Sequence, residues 1–126
     1  MIETLVNALA KENVTLNDTQ ISQFEKYYQL LIEWNEKMNL TAITEPTEVA
    51  IKHFYDSITF LFHTDIKECG KVIDVGTGAG FPGIPLKIMR PDIQLTLLDS
   101  LNKRLIFLQE VCDNIAVSYT HLTLPT

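Results

Sequence analysis

Lys71-Val72-Ile73-Asp74-Val75-Gly76-Thr77-Gly78-Ala79-Gly80-Phe81 is the stretch on which the reading of this 126-residue chain turns. A short β-branched run that ends in a glycine cluster is a buried strand entering a tight turn. Glycines at alternate positions let the backbone bend sharply and approach a ligand with no Cβ in the way. Downstream, Pro82 to Arg90 reads as a short helix stopped by Pro91-Asp92. Gln94-Leu95-Thr96-Leu97-Leu98 reads as a second strand ending at Asp99, and Leu101 to Val111 as another helix. Strand, helix, strand, helix is the opening of a parallel α/β sheet, with the glycine turn at the carboxyl end of its first strand. That is the end at which open α/β sheets bind ligands, and the free amides of the following helix face the same crevice.

Upstream of His63–Gly70, a polar connector, the chain reads helical. Ile2, Leu5, Val6 and Leu9 follow the spacing of one helix face. Asn17 followed by Gln20 has the form of a capping box, and the helix it starts carries Ile21, Phe24, Tyr28 and Leu31 inward and ends near Met38–Asn39. Pro46 suits the first turn of a third helix, on which Ile51, Phe54, Tyr55, Ile58, Leu61 and Phe62 line one side. The expected division is a helical N-terminal extension over 1–66, the first half of an α/β domain with two β-α units over 67–111, and a tail over 112–126.

Bulk properties narrow the class. With 46% hydrophobic and 21% charged residues, the composition is that of an ordinary globular domain. No apolar run reaches the ~18 residues of a membrane span. The start, MIETLVNALAKEN, lacks the basic and apolar regions of a secretion signal, so a cytoplasmic location is expected. Cys69 and Cys112 have no metal spacing and are expected to be free thiols; no metal is expected. The net charge of −6 argues against holding nucleic acid by bulk charge, though not against a local basic face.

The ligand of the turn is read from its spacing. The dinucleotide fingerprint G-x-G-x-x-G, started at Gly76, would place its third glycine at Phe81, where a small residue is needed for close packing. A nicotinamide-dependent oxidoreductase is therefore the weaker reading. The pattern here, G-x-G-x-G preceded by Asp74, is similar to motif I of the class I methyltransferases. Gly76, Gly78, Gly80 and Phe81 are accordingly candidate contacts for S-adenosyl-L-methionine. Asp99 sits where a carboxylate accepts two hydrogen bonds from a ribose diol; capping the next helix is its structural alternative. Asp74 either caps the loop amides or reaches the cofactor through water. Phe81 is either a wall beside the methionine portion or helix packing.

Three longer strings carry a more specific resemblance. They are Glu33-Trp34-Asn35-Glu36-Lys37-Met38-Asn39-Leu40-Thr41, then Lys52-His53-Phe54-Tyr55-Asp56-Ser57, then Gly76 through Pro85 with Leu98-Asp99-Ser100-Leu101-Asn102-Lys103-Arg104. Together they resemble the ribosomal RNA small-subunit methyltransferase G family, also called glucose-inhibited division protein B, over residues 1 to 111. The resemblance implies a bacterial cytoplasmic enzyme with a helical N-terminal extension before a class I, Rossmann-like methyltransferase sheet. It implies methyl transfer to N7 of a guanine in 16S ribosomal RNA on the 30S subunit. It places Gly76 and Phe81 against the cofactor, with Asp99, Ser100 and Leu101 bounding the adenosine half. Guanine N7 has a lone pair and no proton at neutral pH, so no general base is required and none is assigned; positioning is the protein's task. Lys52, Lys103 and Arg104 are candidates for phosphate contact, and His53 for a base. Trp34 and Asn35 are expected to pack and cap within the extension, while Asn39-Leu40-Thr41 either fixes an interhelical loop or faces the pocket. A small-molecule methyltransferase of the same fold is the second alternative.

Members of that family are longer. After Val111 a family member would finish its helix and enter a third strand, whereas residues 112–126 turn threonine-rich. The expectation is that this tail is not native, that the sheet stops at two strands, and that the fragment by itself is inactive.

Overall fold

A computed structural model describes residues 1–123. Helix α1 (Ile2–Ala10) buries Leu5 and Leu9. Helix α2 (Asp18–Met38) opens with the capping box read from the sequence. The Asn17 side chain accepts from the Gln20 amide at 2.8 Å, and the Gln20 side chain accepts from the Asn17 amide at 3.0 Å. It closes at Asn39, which adopts φ +52°. Its buried face is Phe24, Tyr27, Leu30 and Leu31, with Ile21 and Tyr28 partly buried beside them.

The third helical stretch is continuous but not uniform. Pro46–Glu48 (α3) starts it, Glu45 caps it, Val49–Tyr55 is a π-helix, and Asp56–His63 (α4) finishes it. Its inward face differs from the one expected. Val49, Ala50, Phe54, Ser57 and Ile58 are buried, while Ile51 and Phe62 are exposed. The inward stripe runs through small residues, Ala50 and Ser57, which let the helix approach closely but count little in a hydrophobic pattern.

The sheet holds three parallel strands in the order β1-β2-β3: Lys71–Val75, Gln94–Asp99 and Thr120–Thr123. Val72 pairs with Leu95 and Asp74 with Leu97; Thr96 pairs with Thr120 and Asp99 with Thr123. The third strand corrects the expectation of two. Helix α6 (Asn102–Ile115) runs past Val111 and closes at Ala116 with φ +58°, the Ala116 and Val117 amides both donating to the Cys112 carbonyl. The chain then reaches the free edge of β2. β-Branched threonines suit a strand, although a hydrophobicity pattern treats them as polar. Of the tail read as non-native, Leu124, Pro125 and Thr126 lie outside the described residues.

Helix α5 (Gly83–Met89) and α6 pack on one face of the sheet, over Leu95 and Leu97, and α2 lies across them in a single core. Trp34 of α2 reaches Phe107 of α6, with ring centroids 5.7 Å apart, so it packs on the sheet layer and not only within the extension. Two glutamines of α2 bind helix ends: Gln20 Nε2 donates to the Ile88 carbonyl and Gln23 Nε2 to the Ile115 carbonyl. These carbonyls belong to the last turns of α5 and α6, where intrahelical donors run out. On the opposite sheet face Ile73 and Val75 are 61% and 67% exposed. Parallel sheets ordinarily bury both faces, so this side of β1 is open apolar surface. No helix among the described residues is long and apolar enough to cross a membrane. Cys69 is exposed, Cys112 is buried, and both are free.

Candidate cofactor site

The turn after β1 is pinned to the end of β2. The amides of Gly76 and Thr77 both donate to the Leu98 carbonyl, at 2.9 and 3.0 Å. Its three glycines all have positive φ (+70°, +59° and +99°) but face different surroundings. A Cβ at Gly76 or Gly78 would meet nothing within 4 Å, so the outer side of the turn is bare backbone with open space above it. A Cβ at Gly80 would lie 2.5 Å from the Tyr27 hydroxyl. Gly76 and Gly78 leave room for a ligand, whereas Gly80 leaves room for the protein.

Two buried carboxylates hold the turn. Asp74 Oδ2 accepts from the Thr77 hydroxyl at 2.8 Å and from the Gly83 amide at 3.0 Å. Of the two roles open to Asp74, the structure shows the capping one. Burial raises its pKa; the Thr77 and Gly83 hydrogen bonds oppose this, and the nearby Asp99 adds to it. An acid with a raised folded pKa binds more protons folded than unfolded, so its contribution to stability falls as pH rises from about 3.8 through the folded value. Asp74→Asn keeps an acceptor for both donors and carries no charge. Its stability relative to wild type is expected to grow across that interval and then hold, in urea titrations at several pH values. Asp74→Ala leaves both donors unpaired and is expected to cost about 1–3 kcal/mol. A difference between Asn and wild type that does not change with pH would refute this account.

Asp99, at the end of β2, is 2% exposed. Its Oδ2 accepts from the Gly78 amide at 2.9 Å and its Oδ1 from the Leu101 amide at 3.0 Å, with Arg104 Nη1 3.5 Å from Oδ1. The carboxylate therefore ties the glycine turn to the start of α6, which combines the capping role with a place beside the turn. A carboxylate has about four lone-pair sites, and these three contacts leave about one of them. Ser100 and Leu101 are exposed next to it.

Phe81 forms the other wall. Its ring lies between Tyr27 (5.6 Å, 25°) and His53 (4.4 Å, 10°), with Phe54 at 5.9 Å. The Tyr27 hydroxyl donates to the Ala79 carbonyl at 2.6 Å, and burial, foremost, raises its pKa far above the usual phenol value. Sequence reasoning missed Tyr27, because Tyr28 has the better helical spacing with Phe24 and Leu31. It also missed Thr77 and left Thr41 open. Thr41 fixes the interhelical loop: its amide donates to Asn35 Oδ1, as capping by Asn35 requires, and its hydroxyl lies 2.8 Å from His53 Nε2.

The remaining candidates lie at two edges. Lys52 and His53 sit on the π-helix, Lys52 in a loose 3.8 Å pair with Glu48. Lys103 and Arg104 sit in the first turn of α6, Lys103 exposed and Arg104 against Asp99. Among the described residues no group of three or more His, Cys, Asp or Glu side chains is placed to hold a metal ion.

A parallel sheet entered through a helical layer, with a bare glycine turn gripped by a carboxylate from the next strand, is the arrangement of a Rossmann-like domain of methyltransferase type. The family model for rRNA small subunit methyltransferase G matches residues 20–123, and the chain belongs to that family. It is 50% identical over 119 residues to the ribosomal RNA small subunit methyltransferase G of Bacillus velezensis, covering 94% of this chain and 50% of that protein. The enzymes of the same name from Staphylococcus carnosus (54% over 112 residues, 89% and 47% covered) and Desulforamulus reducens (56% over 115 residues, 91% and 48% covered) are similarly close. The chain spans about half the length of these curated relatives. Family membership sets aside the nicotinamide-oxidoreductase reading.

Proposed function

We propose that the protein carrying this chain methylates N7 of a guanine in 16S ribosomal RNA on the bacterial 30S subunit, in the cytoplasm, with S-adenosyl-L-methionine as donor. The observation that carries the cofactor assignment is the open backbone at Gly76 and Gly78, bounded by Asp99 on one side and Phe81 on the other. The cofactor would supply an activated methyl on a sulfonium. The residues present suit it: Gly76 and Gly78 allow close approach to the main chain, Gly80 holds the turn in shape, and Asp99 keeps about one acceptor site for a ribose hydroxyl. Ser100 and Leu101 bound the adenosine side, and Phe81 bounds the other end. For the RNA, Lys52 and Lys103 are the candidate phosphate contacts; Arg104 is partly committed to Asp99. The names of the family and of the relatives support an rRNA substrate; the N7 position is what the resemblance of the sequence strings implies.

The test uses the protein at the length of its relatives, 30S subunits lacking the modification, and labelled cofactor. Mass spectrometry of the digested RNA is expected to find 7-methylguanosine in 16S RNA. Methylation at another atom, or transfer to a small molecule with 30S subunits untouched, would overturn the reading in favour of another acceptor. This 126-residue chain is expected to transfer no methyl group by itself.

A further inference from the structure

Asp99 faces more donors than it has acceptor sites. Its carboxylate accepts the Gly78 amide at 2.9 Å and the Leu101 amide at 3.0 Å, and Arg104 Nη1 stands 3.5 Å away. About one lone-pair site is left, whereas a ribose diol brings a pair of hydroxyl donors. One of the present contacts has to yield before both hydroxyls can bind.

The three contacts are not equally able to do so. The Gly78 amide belongs to a turn whose Gly76 and Thr77 amides are fixed on the Leu98 carbonyl. The Leu101 amide opens α6, and the Leu101 carbonyl accepts the amides of Arg104 and Leu105 at 3.0 and 3.4 Å. Losing either amide contact would disturb the main chain. Arg104 differs on every count. Its contact is the longest of the three, its side chain is 40% exposed, and a flexible stem carries the guanidinium. An ion pair open to water is held weakly, by about 5-fold in equilibrium at most. Once off Asp99, Arg104 meets no acid three or four residues further along α6, where Phe107 and Leu108 stand. Its neighbour Lys103 is exposed and makes no ion pair among the described residues.

We propose that Arg104 is exchanged between Asp99 and an RNA phosphate. A ribose diol on Asp99 displaces the guanidinium, which then stands with Lys103 at the edge of the crevice and meets the RNA backbone. The guanidinium fork suits a phosphate better than its 3.5 Å contact with Asp99. Cofactor and RNA therefore bind with positive linkage, and each tightens the other by the same factor. The inference rests on the cofactor and rRNA readings above and adds the coupling between them.

Binding measurements on the full-length protein test it. At fixed salt, saturating S-adenosylhomocysteine is expected to tighten wild-type binding to 30S subunits lacking the modification about 2–5-fold, the scale of an exposed ion pair. In Arg104→Gln the competitor is gone. S-adenosylhomocysteine is expected to bind it about 2–5-fold more tightly than wild type, 30S subunits more weakly, and neither ligand to affect the other. Lys103→Gln, at a position not paired with Asp99, is expected to weaken the 30S complex and keep the linkage. Salt supplies a check that needs no variant. 5′-Methylthioadenosine carries the ribose and no net charge. Raising salt from about 0.05 to about 0.5 M screens the exposed pair and is expected to tighten its binding. Arg104→Gln that binds S-adenosylhomocysteine more weakly would mean that Arg104 supports the site, and overturns the proposal. So does an unchanged affinity, a linkage that survives in Arg104→Gln, or 5′-methylthioadenosine binding that salt weakens or leaves alone. Wild-type protein that binds neither nucleoside overturns the cofactor reading itself, and 30S subunits left unbound overturn the rRNA reading, both separate failures.

Discussion

Gly80→Ala is expected to destabilise the chain by about 3 kcal/mol or more, the combined scale of overpacking a tight site and forcing a Cβ into positive φ. The added Cβ would sit 2.5 Å from the Tyr27 hydroxyl, 2.8 Å from Ile84 Cδ1 and 3.0 Å from Leu108 Cδ2. Ile84 and Leu108 can turn away, but the Tyr27 hydroxyl is the end of a stiff ring and is anchored to the Ala79 carbonyl. Either Tyr27 gives up that bond or the turn shifts. At Gly76 and Gly78 a Cβ meets open space, so alanine there is expected to cost only the backbone term, about 1–2 kcal/mol. The functional order should reverse, because a methyl at Gly76 or Gly78 projects into the space assigned to the cofactor. Urea midpoints set beside S-adenosylhomocysteine affinities separate the two classes. Equal loss of stability at Gly76 and Gly80 would refute the division of labour.

Phe54→Ala is expected to cost about 3–5 kcal/mol, the usual range for emptying a fully buried phenylalanine site. Phe54 is 0% exposed, and its ring contacts Phe24 at 5.1 Å, Tyr27 at 5.2 Å and Phe81 at 5.9 Å. It sits behind the wall of the cofactor site, so the loss should reach ligand binding as well as stability. Phe60, on the same helical stretch and 46% exposed, is the control: Phe60→Ala should change stability by about 0.5 kcal/mol or less. Thermal unfolding of both variants decides the matter. A Phe54→Ala protein as stable as Phe60→Ala would mean that the aromatic cluster does not support the fold.

Much of this architecture could be read from residue order. The capping box at Asn17 and Gln20, the strand into the glycine turn, and the acid ending β2 are local patterns, and each stands where it was expected. What escaped is non-local or small. Tyr27 belongs to the site through a hydroxyl that reaches a carbonyl 52 residues away, which helical spacing cannot show. Ala50 and Ser57 define the inward face of the third helical stretch because close approach favours small side chains. The third strand was hidden by threonines whose β-propensity a polarity pattern discounts. For Asp99 the structure shows capping and proximity to the turn together, two roles that the sequence presented as alternatives.

The reach of Gln20 and Gln23 bears on how this protein can be divided. Expressing the sheet layer without residues 1–66 would leave the carbonyls of Ile88 and Ile115 without those donors and Phe81 without its ring neighbours Tyr27, His53 and Phe54. A trimmed version beginning near residue 67 should therefore lose its binding crevice as well as its helical cover. The amino-terminal segment is better regarded as masonry of the pocket than as a detachable module.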